Sequence, residues 1–388
     1  MKTMVLLLSS FIIMMLLGTV YAWSVFRVEV EFVYGTTALQ SGLPYMTSLF
    51  FYAFSMMLTG RFLTVKNART VMLSGVMLVS LGWYMASRSY DLLSLTLSYG
   101  VLIGVGVGMA YGVPVFIVNQ RYQKSGLYTG IILSGFGASP LVTAPLVHHL
   151  ISLYGLSQTF FLLGALSILI LVPLTFVLSV KDIQLKRIET SDTVAFSSKK
   201  FFMLYLLFLI ATTIGLMMIG LSYRIGVLNY GFNVRHVALS LSFFAVLNGI
   251  SRPLFGWIVD RKGFVYSATL SSFLILFGSL LALINQGNNL VVFIISMGLF
   301  WFNLGAWLSM LPISIKCYFG TYLYAKRYGL MFTSYGFGAI VGTLLSGLIL
   351  DIFVETWVLY TIVFAIVLII LWLVVKLRRF DFKLKDQL

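Results

Sequence analysis

Of the 388 residues, 60% are hydrophobic and only 10% charged, well below the ~25% charged content of a soluble domain. A balance of 26 Lys+Arg against 11 Asp+Glu, net +15, would point to nucleic acid in a soluble protein. No soluble core needs apolar residues at this density, so composition excludes the soluble classes. Cys317 is the only cysteine, which rules out an internal disulfide and a cysteine-based metal or redox cluster. His148, His149 and His236 show no metal-ligand spacing with acids, and the phosphate-binding pattern G-x-x-x-x-G-K-[ST] does not occur. The expectation is therefore no cofactor and no enzyme.

One bilayer crossing takes ~20 mostly apolar residues. Polar breaks mark predicted spans at 4–26, 41–63, 70–87, 93–118, 127–149, 158–180, 201–224, 237–259, 265–284, 291–315, 328–350 and 357–376. The first follows Lys2 as a signal peptide would. It is longer than a usual signal core, however, and similar segments follow it, so it reads as a span. The only long polar run, KDIQLKRIETSDTVAFSSKK at 181–200, reads as a cytoplasmic linker. The expected fold is an all-α membrane protein of twelve transmembrane helices in two six-helix bundles, 1–180 and 201–388, the second ending in a short tail.

Basic residues cluster in the even-numbered breaks and at the two ends, which hold 21 of the 26, among them Arg61, Lys66, Arg69, Arg261 and Lys262. Odd-numbered breaks carry Arg27, Arg88 and Arg235, with Arg224 close by, against five acids, Glu29, Glu31, Asp91, Asp351 and Glu355. This positive-inside bias predicts cytoplasmic termini in a plasma membrane and assigns the excess charge to topology rather than to nucleic acid. A monomer in the lipid bilayer is expected.

The two bundles repeat. Gly60 recurs at Gly256, Pro114 at Pro312, and GFGA at 135–138 recurs at 336–339, offsets of 196, 198 and 201. Parallel six-helix repeats are the signature of the major facilitator architecture, with the substrate site near mid-membrane between them. Gly100, Gly104, Gly108 and Gly112 form a bare ridge on the fourth span, as do Ser334, Gly338, Gly342 and Ser346 on the eleventh. Such ridges serve close helix packing and are also compatible with surfaces that slide in alternating access.

GWIVDRKG at 256–263 resembles the major facilitator signature loop. Gly256 permits a tight helix exit, and Asp260, beside Arg261, can cap a neighbouring helix or pair with a basic residue when that face is closed. The other copy, GRFLTVKNAR at 60–69, keeps Gly60 and Arg69 but has Thr64, Val65 and Asn67 where Asp, Arg and Gly belong. The gating set is thus Gly256, Asp260, Arg261, Gly60 and Arg69.

Arg252 lies eight residues before Asp260, about 12 Å inside the membrane at 1.5 Å per residue. A central arginine costs ~2.5–3.5 kcal/mol on insertion scales, and no Asp, Glu or Lys lies centrally in a predicted span to offset it. A buried guanidinium without a protein partner invites a carboxylate; the structural alternative is an arginine bonded to carbonyls or snorkelling. Arg224, near a span end, reads as a snorkelling anchor. Without a central acid, exchange or facilitated transport is expected rather than tight proton symport.

GTVYAWSVF at 18–26, GLYTGIILSGFGASPL at 126–141, LNGISRPLFGWIVDRKG at 247–263 and YGLMFTSYGFGAIVG at 328–342 resemble the oxalate:formate antiporter family, related in style to the monocarboxylate transporters. The resemblance covers most of both bundles. It implies carboxylate transport, with Arg252 standing at the family's substrate-binding arginine. The oxalate exchanger of that family carries a lysine in the eleventh span; that place here is Tyr335. The architecture so implied puts Tyr21, Trp23, Tyr111, Asn248, Trp301, Asn303, Trp307 and Tyr335 in cavity-lining helices, Tyr21, Tyr111 and Tyr335 foremost. The expected function is secondary transport of small organic anions, with monocarboxylates ahead of oxalate. A carrier of another solute or drug, and a non-transporting solute sensor, remain alternatives.

Overall fold

No water is available inside a bilayer to satisfy backbone N–H and C=O groups, so a chain of this composition must close its hydrogen bonds within helices. The computed structural model describes residues 2–121, 125–178, 198–319, 324–353 and 355–385, and no strand occurs among them. In chain order the helices are α1 (Lys2–Leu17), α2 (Trp23–Tyr34), α3 (Ala38–Ser41), α4 (Leu43–Phe62), α5 (Ala68–Ala86), α6 (Leu92–Leu95), α7 (Gly104–Arg121), α8 (Ser125–Val177), α9 (Ser198–Arg224), α10 (Val234–Asn285), α11 (Leu290–Phe319), α12 (Tyr324–Phe353) and α13 (Thr356–Lys385). A 3-10 turn, Gly18–Ala22, joins α1 to α2, and π-helical turns occupy Thr96–Ile103 and Ile225–Asn229.

Nine helical stretches among the described residues are long and apolar enough to cross a membrane. Two of them lie in α8 and α10, which run for 53 and 52 residues, each long enough for two crossings. Gly155 (φ 75°, ψ 177°) breaks α8 and Gly263 (φ 82°, ψ 168°) breaks α10, in backbone that side chains rarely adopt. The expected all-helical membrane architecture holds. One boundary differs in substance. The first predicted span ended at 26, whereas α2 continues to Tyr34, so Arg27, Glu29 and Glu31 are helical rather than loop residues. Of the predicted linker, residues 181–197 lie outside the described residues and α9 begins at Ser198.

The N-terminal part (residues 2–178) meets the C-terminal part (198–385) along two seams. In one, Gly130 of α8 faces Pro253 of α10, and Gly249 of α10 faces Ser134 and Ala138. Further along, the Leu141 carbonyl accepts from Ser242 Oγ at 3.3 Å. That oxygen is available because Pro145 has no N–H to bond it. In the other seam, Gly329 and Gly336 of α12 face Met57, Phe50 and Ala53 of α4, while Gly347 faces Leu39 of α3. Both are antiparallel pairs, since numbers rise on one helix as they fall on the other.

Seam glycines Gly130 and Gly137 recur 199 residues later as Gly329 and Gly336, so the GFGA match at 201 stands two residues out of register. Gly135 packs instead on Phe11 of α1, and Gly338 on Leu209, Thr212 and Thr213 of α9. The bare ridges likewise face inward within each part. Gly100, Gly104 and Gly108 lie against Thr47, Ser48, Tyr52 and Ser55 of α4, and Gly342 lies against Thr213 and Met217 of α9. They are packing surfaces; the contact across the two parts uses other glycines.

Candidate functional site

Arg252 is 1% exposed on α10 and bridges the two parts. Its Nη1 donates to the Leu133 carbonyl of α8 at 2.8 Å, and its Nη2 to Asn248 Oδ1 at 3.2 Å. Nε has no hydrogen-bond partner. All its bonded acceptors are therefore neutral, and among the described residues no carboxylate pairs with it. The room for the guanidinium comes from Gly137. A methyl group there would meet Asn248 Oδ1 and would lie 2.8 Å from Arg252 Nε.

Asn248 is held in turn. Its Nδ2 donates to the Trp301 carbonyl at 2.7 Å, and Trp301 Nε1 donates to Ser222 Oγ at 2.8 Å. Hydrogen bonds thus tie Arg252 through Asn248 to the Trp301 backbone of α11, and the Trp301 indole ties α11 to Ser222 of α9.

Tyr21 and Tyr111 place their phenols against the Arg252 guanidinium. The Tyr21 and Tyr335 hydroxyls bond each other at 2.8 Å across the two parts. Around them stand Phe136, edge-on to Tyr21 (5.1 Å) and to Tyr111 (5.3 Å), and Phe332, stacked on Tyr335 at 5.0 Å. Tyr52 closes the cluster, with its ring 5.2 Å from Tyr111 and 5.7 Å from Tyr335. One cation set among phenols and apolar rings suits a ligand with a single carboxylate and a small body.

Arg252, Asn248, Tyr21, Tyr111 and Tyr335, expected at one site, are thus brought together. Trp23 is not. It is fully buried in the N-terminal part, donates Nε1 to the Ser41 carbonyl at 3.1 Å and packs on Tyr99 at 4.3 Å, because its helix turns that face toward α3. Trp307 packs on Phe208 and Phe264 within the C-terminal part. Sequence reasoning missed Tyr52, Phe136, Leu133 and Gly137. Only Phe136 and Gly137 carried a signal, through the repeated GFGA.

The gating residues differ from expectation. The helix runs through Gly256 without interruption and breaks at Gly263, so the tight turn lies at the other end of the motif. Asp260 is exposed and makes no hydrogen bond or ion pair among the described residues, while Arg261 lies over the Trp257 ring at 4.5 Å. In the degraded copy, Gly60 is likewise inside its helix, and Asn67 closes the turn that follows Phe62. It accepts from Thr64 N–H at 2.7 Å and donates to the Phe62 carbonyl at 2.8 Å, while Arg69 lies over Phe176. Among the described residues, neither copy makes an ionic contact across the seam in this state.

A cluster of ionic contacts lies at the face opposite the N-terminus. Arg27, assigned to a loop from sequence, is 1% exposed, because α2 turns it inward against α3 and α9. It donates to Ser41 Oγ at 3.0 Å, to the Gly220 carbonyl at 3.2 Å and to the Ala38 carbonyl, and lies 3.6 Å from Glu31. Arg224, read as a snorkelling anchor, donates Nε to both Glu31 oxygens, at 2.8 and 3.1 Å. Asp351 accepts from the Ala38 and Leu39 amides at 2.9 and 3.0 Å. These bonds, with α2 against α9 and α3 against α12, close that face.

Residues 3–316 match the model of the Major Facilitator Superfamily. The chain belongs to that superfamily. An uncharacterized MFS-type transporter, YhjX of Escherichia coli (strain K12), is 25% identical over 344 residues, covering 86% of this chain and 85% of that one. The oxalate:formate antiporter of Oxalobacter formigenes is 24% identical over 350 residues, covering 87% and 82%. Among solved structures, a point mutant of the nucleoside transporter NupG superimposes with a TM-score of 0.74 at 14% identity, covering 96% of this chain and 99% of that one. This major facilitator is accordingly a multi-pass membrane protein with the family and fold of secondary transporters, whose cargo is a small molecule.

Proposed function

We propose that this major facilitator carries small monocarboxylates across the plasma membrane by alternating access, as an exchanger or facilitator. Residues 1–180 and 201–388 act as the two moving bundles, and both termini are cytoplasmic. The observation that carries the reading is Arg252, buried at the meeting of the two parts, with neutral acceptors and an Nε that has no hydrogen-bond partner. A cation so placed is costly unless a ligand compensates it. Tyr21, Tyr111 and Tyr335 offer hydroxyls and ring faces, and Asn248 holds the guanidinium for the ligand. The oxalate:formate antiporter, by its name a carrier of carboxylates, is a relative along most of the chain. The 21 basic residues at one set of loops and ends support the orientation.

Counterflow of radiolabelled lactate into proteoliposomes tests the reading. Arg252→Ala is expected to abolish counterflow while purifying at near-normal yield, and Arg252→Lys to retain little, since an ammonium loses the two-pronged geometry. A thermal-shift screen of small carboxylates gives the binding arm, a ligand at 100 Kd adding ~2.7 kcal/mol. Wild-type counterflow by Arg252→Ala at matched protein levels would overturn the assignment.

A further inference from the structure

The ionic cluster at the closed face contains a second carboxylate-binding geometry that the central site does not use. We infer that Arg224 is an entry-side anion site, covered in this state by Glu31, which takes the carboxylate of an incoming substrate once that face opens. The inference rests on the alternating-access reading above.

Glu31 and Arg27 share α2, one helical turn apart, and Ser41 Oγ donates to Glu31 at 2.7 Å. These three travel together with the N-terminal part. Arg224 ends α9 in the C-terminal part, where its hydrogen-bonded neighbour among the described residues is the neutral Asn229, whose Oδ1 accepts from Nη1 at 3.1 Å. When the parts separate, Glu31 keeps Arg27 and Ser41, so its side leaves neutralised. Arg224 leaves with a cation whose Nε was shared between two carboxylate oxygens. The group that fits what Glu31 vacates is another carboxylate.

Position supports this use. Arg224 is two residues from Ser222, which accepts from Trp301; Trp301 holds Asn248, and Asn248 holds Arg252. Both guanidinia thus belong to the C-terminal part, so an anion caught at Arg224 is already held by the part that carries Arg252. Glu31 acts as a built-in competitor, covering the site when the face closes and helping to expel the bound carboxylate. Asp351, released from the Ala38 and Leu39 amides at the same opening, is the rival partner on the C-terminal part.

Glu31→Gln and Arg224→Gln separate this role from that of a simple latch. Both break the same ion pair, so a latch predicts the same change for both. An entry site predicts opposite changes. Lactate uptake is measured into intact cells, which samples the face opposite the termini, and into inverted membrane vesicles, which samples the other. Arg224→Gln is expected to raise the KM of cells roughly tenfold, the loss of one charge-assisted contact, and to leave that of vesicles unchanged. Glu31→Gln, which uncovers Arg224, is expected to lower the KM of cells. Parallel shifts in the two variants, or equal shifts at both faces, overturn the inference, and so does capture of Arg224 by Asp351, which would make the variants alike. Arg252→Ala is run alongside. If it transports normally the carboxylate reading itself has failed; if it is inactive while the other two behave alike, only the entry site has.

Discussion

Gly137→Ala should disable the central site while leaving the fold intact. The added methyl would lie 2.8 Å from Arg252 Nε and 3.1 Å from Cζ, and would also meet Asn248 Oδ1. Contacts that short force a shift, and overpacking of this kind costs ~1–3 kcal/mol. The methyl also takes the place beside Nε, the donor that has no hydrogen-bond partner in the protein. Blocking one charge-assisted hydrogen bond is worth ~1.5–3 kcal/mol, hence roughly ten- to a hundredfold in carboxylate affinity. Gly130→Ala is the control, on the same face of α8 and in the same seam. Its methyl would come no nearer than 3.8 Å, to Pro253 Cα, an ordinary contact. Lactate affinity is measured by thermal shift on purified protein, with monodispersity and the unliganded Tm reporting the fold. The expected pattern is loss of affinity in Gly137→Ala and wild-type affinity in Gly130→Ala. Unchanged binding by Gly137→Ala, or an equal loss in both, would show that the close approach to Arg252 does not govern the site.

Two further outcomes follow from the geometry. Tyr335→Lys puts a cation beside Tyr21 at the same cluster, and competition assays should show preference moving from lactate toward oxalate; an unchanged order would mean that position 335 does not face the ligand. Gly263→Ala forces a side chain onto φ 82°, ψ 168°, with an expected loss of ~1–3 kcal/mol, visible as a lower Tm without a specific loss of lactate affinity.

The helices were legible because hydropathy over ~20 residues is set by the bilayer and needs no tertiary information. Arg252 was legible for the same reason, since a charge within an apolar span violates that pattern. What surrounds it was not. Tyr52 sits in FFYAF, where nothing in the local sequence separates a ring that faces the seam from its neighbours that face lipid or α7. Leu133 contributes a backbone oxygen, which leaves no trace in residue identity. Arg27 was misassigned because a single charge near a span end reads as the boundary of the span. Only the packing of α2 against α3 and α9 reveals it as buried and satisfied by Ser41, Gly220 and Ala38. Gly256 was misjudged because a motif records which residues recur and not where the backbone turns.

The buried Arg27 bears directly on the charge of the cargo. Monocarboxylate preference was argued from a single cation in the spans, and the structure adds Arg27 and Arg224. Neither alters the count at the centre. Arg27 lies six residues beyond Tyr21, about 9 Å further along the helix, and its donors are taken by three neutral oxygens, with Glu31 3.6 Å away. Arg224 spends its charge on the same carboxylate. At an effective dielectric of 20, unit charges ~4 Å apart gain ~4 kcal/mol, and the gain falls as distance grows. A dianion bound at Arg252 would therefore bring a second charge into a ring of phenols that can donate hydrogen bonds but cannot neutralise it. A monocarboxylate leaves no such remainder. Oxalate bound at least tenfold more tightly than lactate, formate or acetate by the unmodified protein would overturn this preference and mean that Arg27 leaves Glu31 when the central site is occupied.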